Sequence, residues 1–356
     1  MRGEQPDQVP WFGDLDYWAT ALMARGLRKE GFKESPEYID WHRQLGVGFY
    51  LQGHFPFKTI IENCDVKEWK EDQRRYRSVE TPHGKIQECW TWLDSSFTEA
   101  PTEHLIKTEK DLPAYRFMME NTRYEADYSY AEDRKEQIGE QGALLCYLPK
   151  SPFMQMVALD AGIEAIMGIF MDAPDELDET VAAIGASHDK AAQISLDSPA
   201  EILMIPENLS SEVVGPLFFE KYMQDYQTRW ARKIEAAGKF SCIHLDGTLR
   251  GLLREECMVG LSFIEAMTPS PVGDLPVAEW SSYVGATDTI FWGGIPGSYF
   301  TDIVDDEEFD RHVLETLSIM REEPRYVLGV ADQVPPDGLE ARVKRVRELV
   351  DKHGRY

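Results

Sequence analysis

The chain lacks the features of membrane-spanning, secreted and nucleic-acid-binding proteins. No apolar run approaches the roughly 18 residues that a membrane span needs, and the first residues contain no basic start followed by an apolar segment. Lysine and arginine number 37 against 63 aspartates and glutamates, so the net charge of -26 repels nucleic acid and anionic lipid. We therefore expect a cytoplasmic protein whose partners include neither nucleic acid nor membranes.

Several motifs of enzymes and modular proteins are also missing. The five cysteines form no Cys-x-x-Cys pair, which indicates free thiols rather than a disulfide framework. No Gly-x-Ser-x-Gly elbow is present, and no glycine-rich phosphate loop follows an apolar run. Because the chain also has no Gly/Ser-rich linker, we expect one domain over residues 1–356.

What the chain does have is a repeated alternation of short apolar runs and amphipathic segments. Seven apolar runs bounded by Pro, Gly or Asp predict strands that are covered on both faces, at 46–51, 143–148, 201–206, 240–245, 263–267, 288–294 and 325–330. Apolar spacing predicts helices at 177–196, 216–238 and 307–323. This alternation favours a closed (β/α)8 (TIM) barrel with an N-terminal helical segment, with an open doubly wound sheet as the alternative.

One segment interrupts the alternation. Residues 65–93 alternate polar and apolar side chains around the sequence TPHG at 81–84. This pattern predicts a β-hairpin inserted near the start of the barrel.

Polar side chains gather where the predicted strands end. Function in such a barrel lies at the C-terminal ends of the strands. Four successive strands end in candidates, from which we predict catalytic residues His244, Asp246 and Glu207 and substrate-binding residues Asn208, Glu265, Thr268, Asp332 and Gln333.

The sequence HLD at 244–246 predicts a metal site. Residues i and i+2 at a strand end point the same way, and the neighbouring strand ends in Glu207. Imidazole and carboxylate groups bind Zn²⁺, so His244, Asp246 and Glu207 are the predicted ligands of a divalent ion, with Asp332 able to join from across the barrel. The alternative is that Asp246 caps the following helix and His244 is a core side chain.

Five stretches carry a further signal and together cover most of residues 45–340: VETPHGKIQE (79–88), MIPENLSSEVVGPLFFEKYMQDY (204–226), GKFSCIHLDGTLRGLL (238–253), IEAMTPSPVGDL (264–275) and FWGGIPGSYF (291–300). In these stretches and in their order the chain resembles the uroporphyrinogen decarboxylase-like superfamily, in the branch near the corrinoid-dependent methyltransferases. The resemblance implies a (β/α)8 barrel.

The chain departs from two patterns of that superfamily. Uroporphyrinogen decarboxylases carry an arginine-rich N-terminal signature, whereas residues 46–57 contain no arginine, so porphyrin is not the expected substrate. The related coenzyme M methyltransferases bind zinc with a His-x-Cys pair and a distant Cys. Here His244 matches the histidine, Asp246 replaces the first cysteine, and Asp332 lies near the position of the second.

Oxygen ligands in place of thiolates leave a metal a stronger Lewis acid, which suits activation of a leaving heteroatom. The resemblance then implies a methyltransferase component that demethylates a small O- or N-methylated substrate and passes the methyl group to a corrinoid (cobalamin-type) cofactor on a partner protein. A decarboxylase or other lyase acting on another acid, and a non-catalytic ligand-binding barrel, are the alternatives. The sequence leaves a homodimer open.

Overall fold

The computed structural model describes residues 6–51, 53–323 and 325–356, which form an α/β fold. The strands are β1 Trp11–Phe12, β2 Phe49–Tyr50, β3 Phe57–Ile61, β4 Asp65–Glu71, β5 Arg74–Thr81, β6 Gly84–Leu93, β7 Thr98–Glu103, β8 Thr122–Ala126, β9 Gly142–Ala143, β10 Leu145–Tyr147, β11 Ile202–Ile205, β12 Phe240–His244, β13 Phe263–Met267, β14 Ile290–Pro296 and β15 Tyr326–Ala331.

The described α-helices flank these strands. They are α1 Asp16–Ala24, α2 Pro36–Leu45, α3 Leu112–Glu120, α4 Ser129–Ile138, α5 Pro152–Gln155, α6 Gly162–Asp172, α7 Pro174–Asp197, α8 Pro216–Tyr222, α9 Gln224–Ala236, α10 Leu253–Val259, α11 Trp280–Val284, α12 Asp306–Met320 and α13 Glu340–His353. The N-terminal helical segment predicted from the sequence corresponds to α1 and α2. Within the described ranges, no helix is both long and apolar enough to cross a membrane.

A curled parallel sheet of seven strands positions the candidate site. Its order is β1-β15-β14-β13-β12-β11-β10, and every neighbouring pair is parallel. Strands that run in one direction bring all of their carboxyl ends to one edge. The polar residues that follow β11, β12, β13 and β15 therefore lie at the same end of the sheet.

The hydrogen-bonded ladder of this sheet does not close into the eight-stranded barrel expected from the sequence. Its edge strands β1 and β10 are linked instead by a short pair: Gly48 bridges Phe12, and β2 pairs with β9, which directly precedes β10. A Cβ on Gly142 would lie 1.6 Å from the carbonyl oxygen of Phe49, so this pairing requires glycine. The architecture is consistent with a TIM-like barrel that is not closed as one ladder.

The predicted hairpin is present and belongs to a larger sheet. Strands β5 and β6 pair antiparallel around residues 82 and 83, and β4 and β7 extend them to a four-stranded sheet. A second antiparallel pair, β3 with β8, lies at the base of the same insertion. The insertion thus spans residues 57–126 rather than a single hairpin.

The two faces of the curled sheet bury different apolar clusters. The inner face carries a small cluster of Tyr50, Ala143, Leu145, Ile202, Met204, Cys242, Phe263 and Trp292. The alternate residues, such as Leu203, Ile243 and Ile264, belong to the larger cluster under the helices. Because alternate strand residues share a face, His244 follows Cys242 on the inner face of β12. Glu265 follows Phe263 in the same way on β13.

Candidate functional site

Three strand-end residues converge at the carboxyl edge of the curled sheet. His244 ends β12, Asp246 lies two residues further on, and Asp332 follows β15. One ligand atom from each lies within 4.8 Å of the others. Nε2 of His244 is 3.7 Å from Oδ2 of Asp246 and 3.7 Å from Oδ1 of Asp332. We refer to these three residues as the His244 group.

Glu265 orients the imidazole of this group. Its Oε2 lies 2.6 Å from Nδ1 of His244, and its Oε1 accepts a hydrogen bond of 3.0 Å from the hydroxyl of Tyr50. The two residues are register partners on neighbouring strands, and Glu265 is fully buried. A carboxylate on Nδ1 fixes that nitrogen as the donor, so Nε2 faces Asp246 and Asp332.

The charges in the group are strongly coupled. Burial would lower the pKa of His244, but Glu265 and Asp246 raise it well above its usual range. Burial would raise the pKa of Asp246, but the hydrogen bond and charge of His244 hold it below its usual range. Partial removal from water, with Asp246 and Glu265 nearby, raises the pKa of Asp332 to about 6 against the opposing effect of His244. Nε2 thus lies where a positive charge is favoured.

The geometry and the donor types fit a divalent ion. With bonds of about 2.1 Å and tetrahedral angles, two ligand atoms of Zn²⁺ lie roughly 3.4 Å apart. The two 3.7 Å distances from Nε2 are close to that separation. Glu265 on Nδ1 completes the carboxylate–histidine arrangement that commonly supports a metal-binding imidazole. Half of the Asp332 side chain is exposed, so the group is open to a substrate or water.

The backbone around the group is irregular, and this irregularity sets the side-chain positions. Ala266 has a φ of 66°, and the register of β13 against β14 shifts between Ile264 and Met267. Bulges of this kind re-aim neighbouring side chains near active sites. Thr268 then donates a hydrogen bond of 2.8 Å to the backbone carbonyl of Asp246, which ties the two loops together. The predicted binding residue Thr268 is thus buried behind the group.

Glu207 does not belong to the His244 group. It is fully buried, and its carboxylate accepts hydrogen bonds from the backbone N–H of Ser151 and from the side chain of Gln227 on α9. The Glu207 N–H bonds to the carbonyl oxygen of Ile205, a γ-turn that ends β11. The residue that joins His244 and Asp246 as the third member of the group is Asp332.

Asn208 and Gln333, both predicted to bind substrate, lie at the same strand ends. Asn208 is exposed, has a φ of 52°, and accepts a hydrogen bond of 2.7 Å from Nζ of Lys150. Gln333 follows Asp332 and packs its backbone against Gly297, on the loop after β14. Neither side chain belongs to the His244 group.

The sequence analysis missed three residues near the group. Lys150 follows β10, bonds to the carbonyl oxygen of Pro206, and has a pKa lowered to about 8 by burial despite the opposing charges of Glu207 and Asp246. Tyr50 holds Glu265 from β2. Asp14 follows β1, and burial and Asp16 raise its pKa, with smaller contributions from Glu265 and Asp332. The available signal was the run 143–148, which Lys150 follows after one proline, and the run 46–51, which contains the hydroxyl-bearing Tyr50.

One solved structure shares this architecture over nearly the whole chain. A methyltransferase from Methanosarcina mazei matches with a TM-score of 0.63 over 98% of this chain and 95% of that chain, at 12% sequence identity. This likeness establishes the fold.

Two further solved structures match with low TM-scores. A fructuronate–tagaturonate epimerase from Cohnella laeviribosi (12% identity, 88% of this chain and 73% of that chain) and a dipeptide epimerase from Methylococcus capsulatus (9% identity, 82% and 79%) each give a TM-score of 0.23. No protein-family model and no curated protein matches the sequence.

Proposed function

We propose that this protein is the substrate-side methyltransferase of a corrinoid-dependent system. It takes the methyl group of a small O- or N-methylated compound and passes it to the reduced corrinoid of a partner protein. The observation that carries the proposal is the His244 group, backed by Glu265, at the carboxyl edge of a fold shared with a methyltransferase. The cytoplasmic location and a homodimer remain predictions from the sequence.

The residues of the group suit heterolytic loss of a methyl group. As the corrinoid takes the methyl carbon, the electron pair of the breaking bond stays on the oxygen or nitrogen of the substrate. A divalent ion such as zinc, held by His244, Asp246 and Asp332, would supply Lewis acidity for that atom. Glu265 keeps Nδ1 of His244 as the donor and leaves Nε2 directed into the site.

The direct test is methyl transfer from candidate donors to an added corrinoid protein. Purified protein and reduced corrinoid protein are incubated with a panel of methyl ethers and methylamines, and the methylated corrinoid is measured by mass spectrometry. We expect transfer from at least one donor and a loss of about 100-fold or more in His244→Ala, since a metal ligand is removed. No transfer from any donor class, with active corrinoid protein present, contradicts the proposal.

Metal stoichiometry distinguishes the ligand set of the structure from that predicted from the sequence. We expect His244→Ala and Asp332→Asn to lose zinc and Glu207→Gln to retain it. Loss of zinc from Glu207→Gln with retention in Asp332→Asn would favour the sequence-based set His244, Asp246 and Glu207. Wild-type protein that binds no divalent ion contradicts both sets.

A lyase is the second candidate, and one observation favours it. Glu265 and Asp246 raise the pKa of His244 well above its usual range, and burial raises that of Asp332 to about 6, so without a metal an imidazole that favours its protonated form lies beside a carboxyl group that can exchange a proton near neutral pH. Decarboxylation of a small acid by metal-free protein, with no methyl transfer, would select this candidate. Turnover of uroporphyrinogen is not expected because residues 46–57 carry no arginine.

A further inference from the structure

A cavity of about 400 Å³ lies among the N-terminal helices and the first strands. Its walls come from the loop after β1, from β2 and the residues after it, and from α2. Tyr50 lines this cavity and also donates its hydroxyl to Glu265, which holds His244. A volume of this size suits a small molecule, and the shared Tyr50 places that molecule beside the candidate reaction centre.

Among the described residues that line this cavity, no cation pairs with the buried carboxylate of Asp14. Its side chain lines the cavity, although the residue is only 3% exposed. Oδ1 accepts a hydrogen bond of 2.7 Å from the N–H of Asp16, and among the described residues nothing donates to Oδ2. Burial and the nearby charges of Asp16, Glu265 and Asp332 raise its pKa well above the usual range. A buried carboxylate in this state gains most from a cationic partner.

The charges around the cavity disfavour an anion. The ammonium of Lys33 is already paired with Asp16 at 2.9 Å, and Glu34 adds a further carboxylate at the rim. Two histidines also line the cavity, but burial lowers the pKa of His42 to about 3 and that of His54 below its usual value. Burial thus disfavours the charged form of both imidazoles, and among the described lining residues three carboxylates accompany one ammonium.

Aromatic side chains make up much of the remaining wall. Tyr38, Phe49, Tyr50 and Tyr130 all line the cavity. The faces of such rings attract alkylammonium groups, and the attraction is strongest where water is excluded. Aromatic rings combined with one buried carboxylate are the usual chemistry of a site for an organic cation.

We propose that this cavity binds a small organic cation, namely a substrate that carries a protonated or quaternary ammonium group, with Asp14 as its counter-ion. The word substrate rests on the function proposed above, whereas the binding of the cation does not. The ammonium group lies against the rings and Asp14, and the rest of the molecule reaches past Tyr50 to the His244 group. The sequence left the charge of the methylated substrate open, and a cation site makes that charge positive.

The first test is charge-selective binding to the wild-type protein. Titration calorimetry compares choline with 3,3-dimethylbutan-1-ol, in which carbon replaces the quaternary nitrogen at the same shape, and includes tetramethylammonium as the minimal cation. We expect choline to bind at least about tenfold tighter than its neutral analogue. Equal binding of the two alcohols, or no binding of either cation at millimolar concentration, overturns the proposal.

The second test is a matched pair of variants. In Asp14→Asn the amide oxygen can still accept from the Asp16 N–H, but the charge is lost, so we expect choline affinity to fall at least about tenfold. Asp160→Asn is the control, because Asp160 is similarly buried at 6% exposure but lines a different cavity with Tyr115 and Gln155. Unchanged choline affinity in Asp14→Asn, or an equal loss in both variants, overturns the role of Asp14.

The outcomes separate this inference from the proposed function. Charge-selective binding of choline without methyl transfer from any donor leaves the cation site in place and contradicts the methyltransferase. Methyl transfer from a neutral ether by a protein that binds no ammonium ion supports the methyltransferase and overturns the cation site.

Discussion

At the scale of single residues, the two ring nitrogens of His244 have separate environments. Nδ1 is committed to Glu265 at 2.6 Å, whereas Nε2 lies between Asp246 and Asp332, each at 3.7 Å. A ring held from one side presents its other nitrogen in a fixed direction. The orientation of the imidazole therefore depends on Glu265.

This dependence predicts the effect of changing Glu265 on zinc binding. In Glu265→Gln the carboxylate charge beside Nδ1 of His244 is lost, and the tautomer of the imidazole is no longer fixed. We therefore expect zinc affinity to fall about 10–100-fold. The measurement is competition with a zinc chelator. Tyr50→Phe is the matched control, because it removes only the hydrogen bond to Oε1 of Glu265 and is expected to cost much less. Equal zinc affinity in Glu265→Gln and wild type would show that Glu265 does not support a metal ligand.

Glu256 on α10 predicts a pH dependence of stability. It is fully buried, and burial and the charge of Glu207 raise its pKa well above the usual 4.5 against the opposing effect of Gln227. The folded state therefore holds this proton at pH values where the unfolded chain has lost it. The contribution of Glu256 to the free energy of unfolding is present below pH 4.5 and is lost as pH rises towards the raised pKa.

Replacing Glu256 by Gln removes this loss. At pH 8 we expect the free energy of unfolding of Glu256→Gln to exceed that of wild type by about 1–3 kcal/mol. The difference should shrink towards pH 4.5. Urea unfolding across that range measures it. Glu255→Gln, at the neighbouring position on the same helix, is the control for loss of one negative charge. A difference between wild type and Glu256→Gln that stays constant with pH would mean that Glu256 ionises normally in the folded state.

The sequence identified His244 and Asp246 because His244 ends a predicted strand and Asp246 lies two residues further on, where alternation points both side chains the same way. It placed Glu207 beside them because that residue directly follows the apolar run 201–206, which is the neighbouring predicted strand. The structure ends β11 at Ile205, and the γ-turn between Ile205 and Glu207 breaks the alternation. Asp332, with a φ of 66°, lies at a turn of its own, and its proximity to His244 depends on the curl of the whole sheet. Sequence spacing carries no information about either effect.

At the scale of elements, length decided which strands were predictable. The strands β12 and β13 match the predicted runs because four of the five residues of β12 and all five of β13 are buried, and most of them are apolar. Strands β1 and β2 have two residues each, too few to show any period. The sequence analysis missed β1 and therefore also missed Asp14, which lies two residues after the end of that strand.

Substitution of Gly293 tests how tightly β14 packs against the bulge of β13. Its φ is 154°, and a Cβ there would lie 2.4 Å from the carbonyl oxygen of Met267. We expect Gly293→Ala to lower the free energy of unfolding by about 1–3 kcal/mol, because backbone strain and a backbone clash act together. The measurement is denaturant unfolding.

Gly168 offers the matched control for this substitution. It lies exposed within α6, and a Cβ there would meet nothing within 4 Å, so Gly168→Ala should be neutral or stabilise by up to about 1 kcal/mol. Equal effects of the two alanines would mean that β13 and β14 are not as closely packed as the structure has them.

At the scale of the whole molecule, the fold class was predictable and the closure of the barrel was not. Repeated alternation of strands and helices indicates a parallel sheet with crossover helices. Whether its edges meet depends on single glycines such as Gly142 against Phe49, and on the bridge from Gly48 to Phe12. Glycines at such close approaches cannot be distinguished in sequence from glycines in turns.

The charge of the whole chain predicts that salt stabilises this protein. A net charge of -26 means that, on a count of charges, 26 carboxylates have no basic partner. Their mutual repulsion acts over long distances and favours expansion, whereas exposed ion pairs such as Lys29 with Glu37 contribute little each. Raising the ionic strength to physiological values shortens the screening length to about 8 Å. This weakens the long-range repulsion more than it weakens the short-range ion pairs. We expect the thermal midpoint to rise with sodium chloride, by about 2 °C for each kcal/mol of repulsion that is screened. Scanning calorimetry in EDTA-containing buffer measures it without a contribution from bound metal, and a midpoint that falls with salt would mean that the ion pairs outweigh the repulsion.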